Sequence, residues 1–305
     1  MTFVRIDGIP HHVRVDGTGP VCLLSTGLGM AWFDWDPVVP LLAPYRTVVR
    51  FDRPGLGLSA PAPARAWPTL TGEARRIARV LDAAGVRTPA TVVGHSLAGF
   101  HCEAFARLYP RRTAGLVLVD SSVEEAPRPS RAPALRNTAT RACGTLLTGA
   151  GLPRALGPLL RRTAVRAVRR NGGDSTPYDS TPYDPAPYDL VRRAYSTSRF
   201  LRAALAENAT YRDQAAELEE LREQPLPDVP VTVLAAAAHP GGKASRHWLD
   251  RQERLAERLG ATFRVSAPAG HLVMLDRPQD VAAAILDEPV RPSPAGQEEE
   301  RTHRR

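Results

Sequence analysis

The chain has 305 residues, 43% apolar and 24% charged, which excludes a disordered, collagenous or disulfide-stapled protein and allows one large or two small domains. The unbroken apolar run at 233–238 falls far short of the roughly 18 residues of a membrane span, so no transmembrane helix is expected. The net charge of +8 is local: ten arginines and no acid lie between residues 126 and 173, and no nucleic-acid-binding motif accompanies them.

Arg5 and Asp7 interrupt the segment where a secretory signal would need an uncharged run, so a cytoplasmic location is expected. Residues 3–6 and 11–15 read as a hairpin. Residues 21–25 and 47–51 are continuous apolar, β-branched runs, the signature of strands buried on both faces of a mainly parallel sheet. Between residues 74 and 85, Ile77, Val80, Leu81 and Ala84 recur at helical spacing, and Gly85 provides the C-terminal stop. A strand at 91–93, a helix at 97–108 and a strand at 116–119 follow. The three cysteines, Cys22, Cys102 and Cys143, lack metal or redox spacing and read as small buried hydrophobes.

The alternation then stops. Residues 122–224 read as helical or irregular, ending in a long helix over 199–223, before strands and helices resume at 231–234, 248–259, 262–265 and 280–286. A core of residues 1–121 and 225–288 interrupted by an α-helical insertion at 122–224 is the simplest account. Inside the insertion, the proline-spaced repeat DSTPYDSTPYDPAPYD at 174–189 reads as an exposed loop. Residues 289–305 read as a disordered tail.

Gly94-His95-Ser96-Leu97-Ala98-Gly99 lies directly between a strand and a helix. Such a turn lifts a serine hydroxyl above a sheet and aims the first helical N–H groups at the same point, and Gly94 and Ala98 supply the small flanking residues it requires. A serine hydroxyl is a weak nucleophile at neutral pH and needs a base within hydrogen-bond reach.

On these residues the chain resembles the α/β-hydrolase fold family: a mostly parallel central sheet flanked by helices, with an inserted α-helical cap. Three more segments carry the resemblance. Ser25-Thr26-Gly27-Leu28-Gly29 is similar to the family's oxyanion loop, with Thr26 in place of the usual His. Asp52-Arg53-Pro54-Gly55-Leu56-Gly57-Leu58-Ser59 matches the turn after the fourth strand, whose role in the family is mainly structural. Ala269-Gly270-His271 lies where the family places its catalytic histidine. The resemblance implies Ser96 as nucleophile, His271 as general base, and the backbone N–H groups of Leu28 and Leu97 as the oxyanion hole. His11, His12, His95, His101, His239 and His247 lack matching context.

The sequence departs from the usual pattern at the third triad member. The region after the seventh strand, His239-Pro240-Gly241-Gly242-Lys243, has no carboxylate. A minority arrangement places the acid at the end of the sixth strand, where Asp120 stands. Glu124, Glu125, Asp250 or a dyad without acid are the alternatives. The insertion's arginines are expected to be solvated or to pair with Glu207, Asp213, Glu217, Glu219, Glu220 and Glu223, and otherwise to meet a substrate carboxylate or phosphate or an anionic membrane surface.

These residues point to a serine hydrolase cleaving a carboxylic ester or related acyl bond of a small-molecule substrate, with no metal or organic cofactor implied. A lyase, perhydrolase or cofactor-free oxygenase on the same fold, or a binding protein that lost catalysis, are the rival readings.

Overall fold

The computed structural model describes residues 2–170, 186–239 and 241–287. The tail at 289–305 and most of the proline-rich repeat lie outside the described residues. The last part of that repeat does not remain a loop: Tyr188 and Asp189 begin a helix.

Strands β1 (Thr2–Ile6) and β2 (Ile9–Asp16) form the expected hairpin. β3 (Val21–Ser25) leads through a 3-10 turn (Trp32–Trp35) and the short helix α1 (Val39–Leu42) to β4 (Thr47–Phe51). Helix α2 (Leu70–Ala83) starts four residues before its apolar periodicity, because the Thr69 hydroxyl caps it by accepting from the Gly72 N–H. β5 (Ala90–His95), α3 (Ala98–Leu108) and β6 (Thr113–Val119) follow. Four helices then interrupt the sheet: α4 (Pro133–Gly149), α5 (Leu152–Arg170), α6 (Tyr188–Tyr195) and α7 (Ser198–Leu221). The chain returns through β7 (Val231–Ala236), α8 (Lys243–Leu259), β8 (Thr262–Ser266), α9 (Val273–Asp276) and α10 (Pro278–Leu286).

The eight strands run in the order β1-β2-β4-β3-β5-β6-β7-β8. Only the β1/β2 and β2/β4 pairs are antiparallel. Alternate residues enter two apolar layers. Leu23, Val92, Leu116 and Leu118 pack with α2 and α3, whereas Leu24, Val93, Val117 and Val119 pack with α1, α9 and α10. Each fully buried side chain of this size contributes roughly 1.5–3 kcal/mol, so the two layers fix the strand ends that carry the site.

One expectation needs correction. Cys22 and Cys102 are buried, but Cys143 is exposed, because it lies on the outer side of α4. The insertion's arginines divide between solvent and pairing: Arg128, Arg131, Arg141, Arg154 and Arg162 are exposed. Arg136 pairs with Asp213, but Arg161 reaches down to the buried Asp34 of the core, Glu207 pairs with Arg53, and Glu219 pairs with Arg222 and Arg258.

Candidate active site

Ser96 stands between β5 and α3 with φ of +53°, in the left-handed region that non-glycine residues rarely adopt. The neighbourhood holds it there. Ser96 N–H donates to the Val119 carbonyl at 3.2 Å, and its own carbonyl accepts from Gly99 and Ser122 N–H at 2.9 and 3.1 Å. A Cβ on Gly94 would lie 2.4 Å from the Ala98 carbonyl oxygen, which is why the sequence has no side chain at this crossing.

His271 comes from the loop between β8 and α9. Its Nε2 lies 3.0 Å from Ser96 Oγ and its Nδ1 2.5 Å from Asp120 Oδ2. With the proton on Nδ1, the ring donates to Asp120 and accepts from the serine hydroxyl. Asp120, directly after β6, is buried and has φ of +41°. Its other oxygen, Oδ1, accepts from the Ala236 N–H at 2.9 Å and from the Trp248 indole N–H at 2.7 Å. The alternative acids lie elsewhere: Glu125 is an exposed partner of Arg254 and Arg251, and Asp250 is exposed on α8.

The loop expected to hold the oxyanion packs directly on this elbow. A Cβ on Gly27 would lie 2.8 Å from His95 Nδ1 and 3.1 Å from Ser96 Cβ. Among the described residues, neither the Leu28 nor the Leu97 N–H has an acceptor within the chain. Arg53, buried, orients this loop by donating to the carbonyls of Thr26 and Gly27, the latter at 2.7 Å. Because a peptide unit is planar and trans, fixing the Gly27 carbonyl also fixes the opposite aim of the Leu28 N–H. Glu207 of α7 completes the arrangement. It accepts from Arg53 Nε at 2.6 Å and from the Gly29 N–H at 2.9 Å. Burial opposes the Arg53 charge, but the Glu207 carboxylate together with Glu73 and Asp52 outweighs it and holds the guanidinium pKa above its ordinary value.

Sequence reasoning missed three contributors. Glu207 and Trp248 carry no local signal, because each meets its partner only through the fold. His95 sits beside the serine, but its sequence context assigns it no partner. Its Nε2–H donates to the His271 carbonyl at 2.8 Å and its ring lies 4.7 Å from that of His271. Burial, and then the neighbouring His271, push the His95 pKa well below the ordinary imidazole value, so this ring is neutral. His101 Nε2–H donates to Gln214 Oε1, and His12 meets Asp52. Neither approaches Ser96.

Residues 22–284 match the model of the alpha/beta hydrolase family. The chain belongs to that family. This is a hydrolase-type enzyme family, and solved structures share the fold across nearly the whole chain. Wild-type Cfl2 from Burkholderia cenocepacia superposes with a TM-score of 0.65 at 24% identity, covering 93% of this chain and 94% of that one. The enol-lactonase from Burkholderia xenovorans LB400 does so with a TM-score of 0.62 at 21% identity, covering 94% and 98%. By sequence, the chain is 36% identical over 110 residues to the protein named "Putative carbamate hydrolase RutD" of Azorhizobium caulinodans, and that match spans 36% of this chain and 40% of the relative.

Proposed function

We propose that the protein is a serine hydrolase that cleaves a carboxylic ester or related acyl bond through an acyl-enzyme. The continuous Ser96–His271–Asp120 hydrogen-bond chain is the observation that carries this reading. Ser96 Oγ attacks the acyl carbonyl while His271 Nε2 takes its proton. Asp120 holds the imidazole tautomer and stabilises the imidazolium. The carbonyl oxygen becomes an oxyanion between the Leu28 and Leu97 N–H groups, each of which typically contributes about 10²- to 10³-fold. Collapse expels the leaving group, protonated by His271. Water, deprotonated by the same ring, then releases the acid and restores Ser96. Carbamate and enol-lactone hydrolysis, the activities in the names of two relatives, both begin with attack on an acyl carbonyl.

In this reading the helical insertion, residues 122–224, acts as a cap over a core formed by 1–121 and 225–288. Its contacts support that role: Phe200 and Ala204 of α7 come within 4.0 Å of a Cβ placed on Gly29, beside the expected oxyanion hole. The cap would thus set the shape of the acyl or leaving-group pocket.

A fluorophosphonate probe on the folded protein tests the nucleophile, and a panel of aryl esters, thioesters and lactones tests the bond class. Modification confined to Ser96 with turnover of at least one acyl class is the expected result. Absence of both would favour a ligand-binding protein that keeps the pocket without the chemistry.

A further inference from the structure

The outer face of the helical insertion takes no part in the chemistry at Ser96. Ten large apolar side chains are exposed among the described residues, and six of them, Leu135, Leu146, Leu156, Leu159, Leu160 and Tyr188, belong to α4, α5 and the start of α6. That concentration distinguishes a patch from the scattered exposed leucines of any surface. On α5, Leu156, Leu159 and Leu160 follow i, i+3, i+4 spacing and are 38%, 55% and 62% exposed, while Gly157, Arg161 and Val165 form the buried side. Leu135 and Leu146 continue the feature on α4, where both are more than two-thirds exposed.

Positive charge accompanies these leucines. Arg162, six residues on from Leu156, is exposed, as are Arg128 and Arg131 just before α4, and the sequence has no acid from 126 to 173. The Arg162 guanidinium lies 5.1 Å above the Tyr188 ring, joining the α5 stripe to α6.

The occupant follows from this combination. A second copy docked by a twofold would set arginines against arginines. A nucleic acid would answer the charge but leave the leucines without a counterpart. An interfacial helix that buries leucines at the acyl boundary while arginines hold phosphates answers both. We propose that the outer face of α4 and α5 docks on anionic phospholipid. The association is peripheral, since no described helix is long and apolar enough to cross a membrane.

Flotation of the purified full-length chain with phosphatidylcholine vesicles, with and without phosphatidylglycerol, tests the proposal independently of any catalytic activity. Binding to the anionic vesicles at low salt is expected, with loss on pure phosphatidylcholine and at high salt. The Leu159→Ser/Leu160→Ser double variant should weaken binding at least about tenfold. Arg131→Gln/Arg162→Gln should weaken it roughly tenfold. All four side chains are exposed, and thermal melting verifies that both variants fold. Failure of the parent to bind either vesicle, or undiminished binding by the leucine variant, overturns the proposal. So does a lipid-free dimer that the leucine variant dissolves, which would assign the face to self-association.

Discussion

The two sides of Ser96 are held in place by different means. On the base side, Asp120 and His271 extend from β6 and the β8–α9 loop, and their partners are groups of the core: Ala236, Trp248 and the serine itself. On the oxyanion side, the Thr26–Gly29 backbone is tied by Arg53 to Glu207, a carboxylate contributed by the helical insertion. The proposed base is thus built from strand ends and the β8–α9 loop with one donor from α8, whereas the proposed oxyanion loop is tied to α7 of the insertion. A change in the insertion should therefore reach the oxyanion side while leaving the base intact.

The largest effect removes what both sides serve. Ser96→Ala should reduce aryl-ester turnover by about 10⁴-fold or more, leaving only background hydrolysis. Activity within tenfold of the parent would end the acyl-enzyme reading. Next comes the base side alone. Asp120→Asn should lower kcat by roughly 10³-fold, since the amide donates where the carboxylate accepts and imposes the wrong imidazole tautomer. Asp250→Asn, in contrast, should stay within about twofold, because Asp250 is exposed on α8. Equal loss in the two variants would erase the assignment of Asp120.

The oxyanion side responds differently. Glu207→Gln keeps an acceptor for the Gly29 N–H but leaves the Arg53 guanidinium buried without its counter-charge, a change that typically costs about 3–5 kcal/mol. The melting temperature should fall, and kcat should drop by on the order of tenfold with KM little altered, because the Leu28 N–H matters chiefly once the oxyanion forms. A trifluoromethyl ketone, which forms a stable oxyanion on the serine, should lose affinity in parallel with kcat. A fall in stability with kcat and ketone affinity unchanged would make the Arg53–Glu207 pair a docking contact for α7 and nothing more.

This division also governs what could be read in the sequence. Ser96, the strand-helix turn around it and the position of His271 are local patterns, because a sharp turn and a close backbone crossing demand particular residues at fixed spacing. Asp120 was legible through its place at a strand end and the missing carboxylate after β7, a pattern that also left Glu124, Glu125 and Asp250 open. Glu207 was legible only as one of several acids on a long helix. Its choice of Arg53, 154 positions away, over the nearby arginines of α4 and α5 depends on how α7 settles against the Gly29 and Gly55 turns. Which arginines of the insertion are solvated and which are paired was not legible, since sequence supplies the charges but not which helix face points outward.

Trp248 offers the finest test of the comparison, because it belongs to the base side yet was invisible for the same reason as Glu207. Its indole N–H supplies one of two donors to Asp120 Oδ1, the other being the Ala236 backbone, while Oδ2 remains committed to His271. Removing a hydrogen bond to a charged group usually costs about 1.5–3 kcal/mol, but Trp248 is only partly buried and water can replace the lost donor. Trp248→Phe should therefore lower kcat by only about two- to fivefold, far less than Asp120→Asn, and should leave trifluoromethyl-ketone affinity less affected than Glu207→Gln does. If the Phe variant instead matches Asp120→Asn, the backbone donor cannot hold the carboxylate alone. The base side would then depend on a side chain of α8 as strictly as the oxyanion side depends on one of α7, and the contrast between a base held chiefly from strand ends and an oxyanion loop tied to a helix would fail.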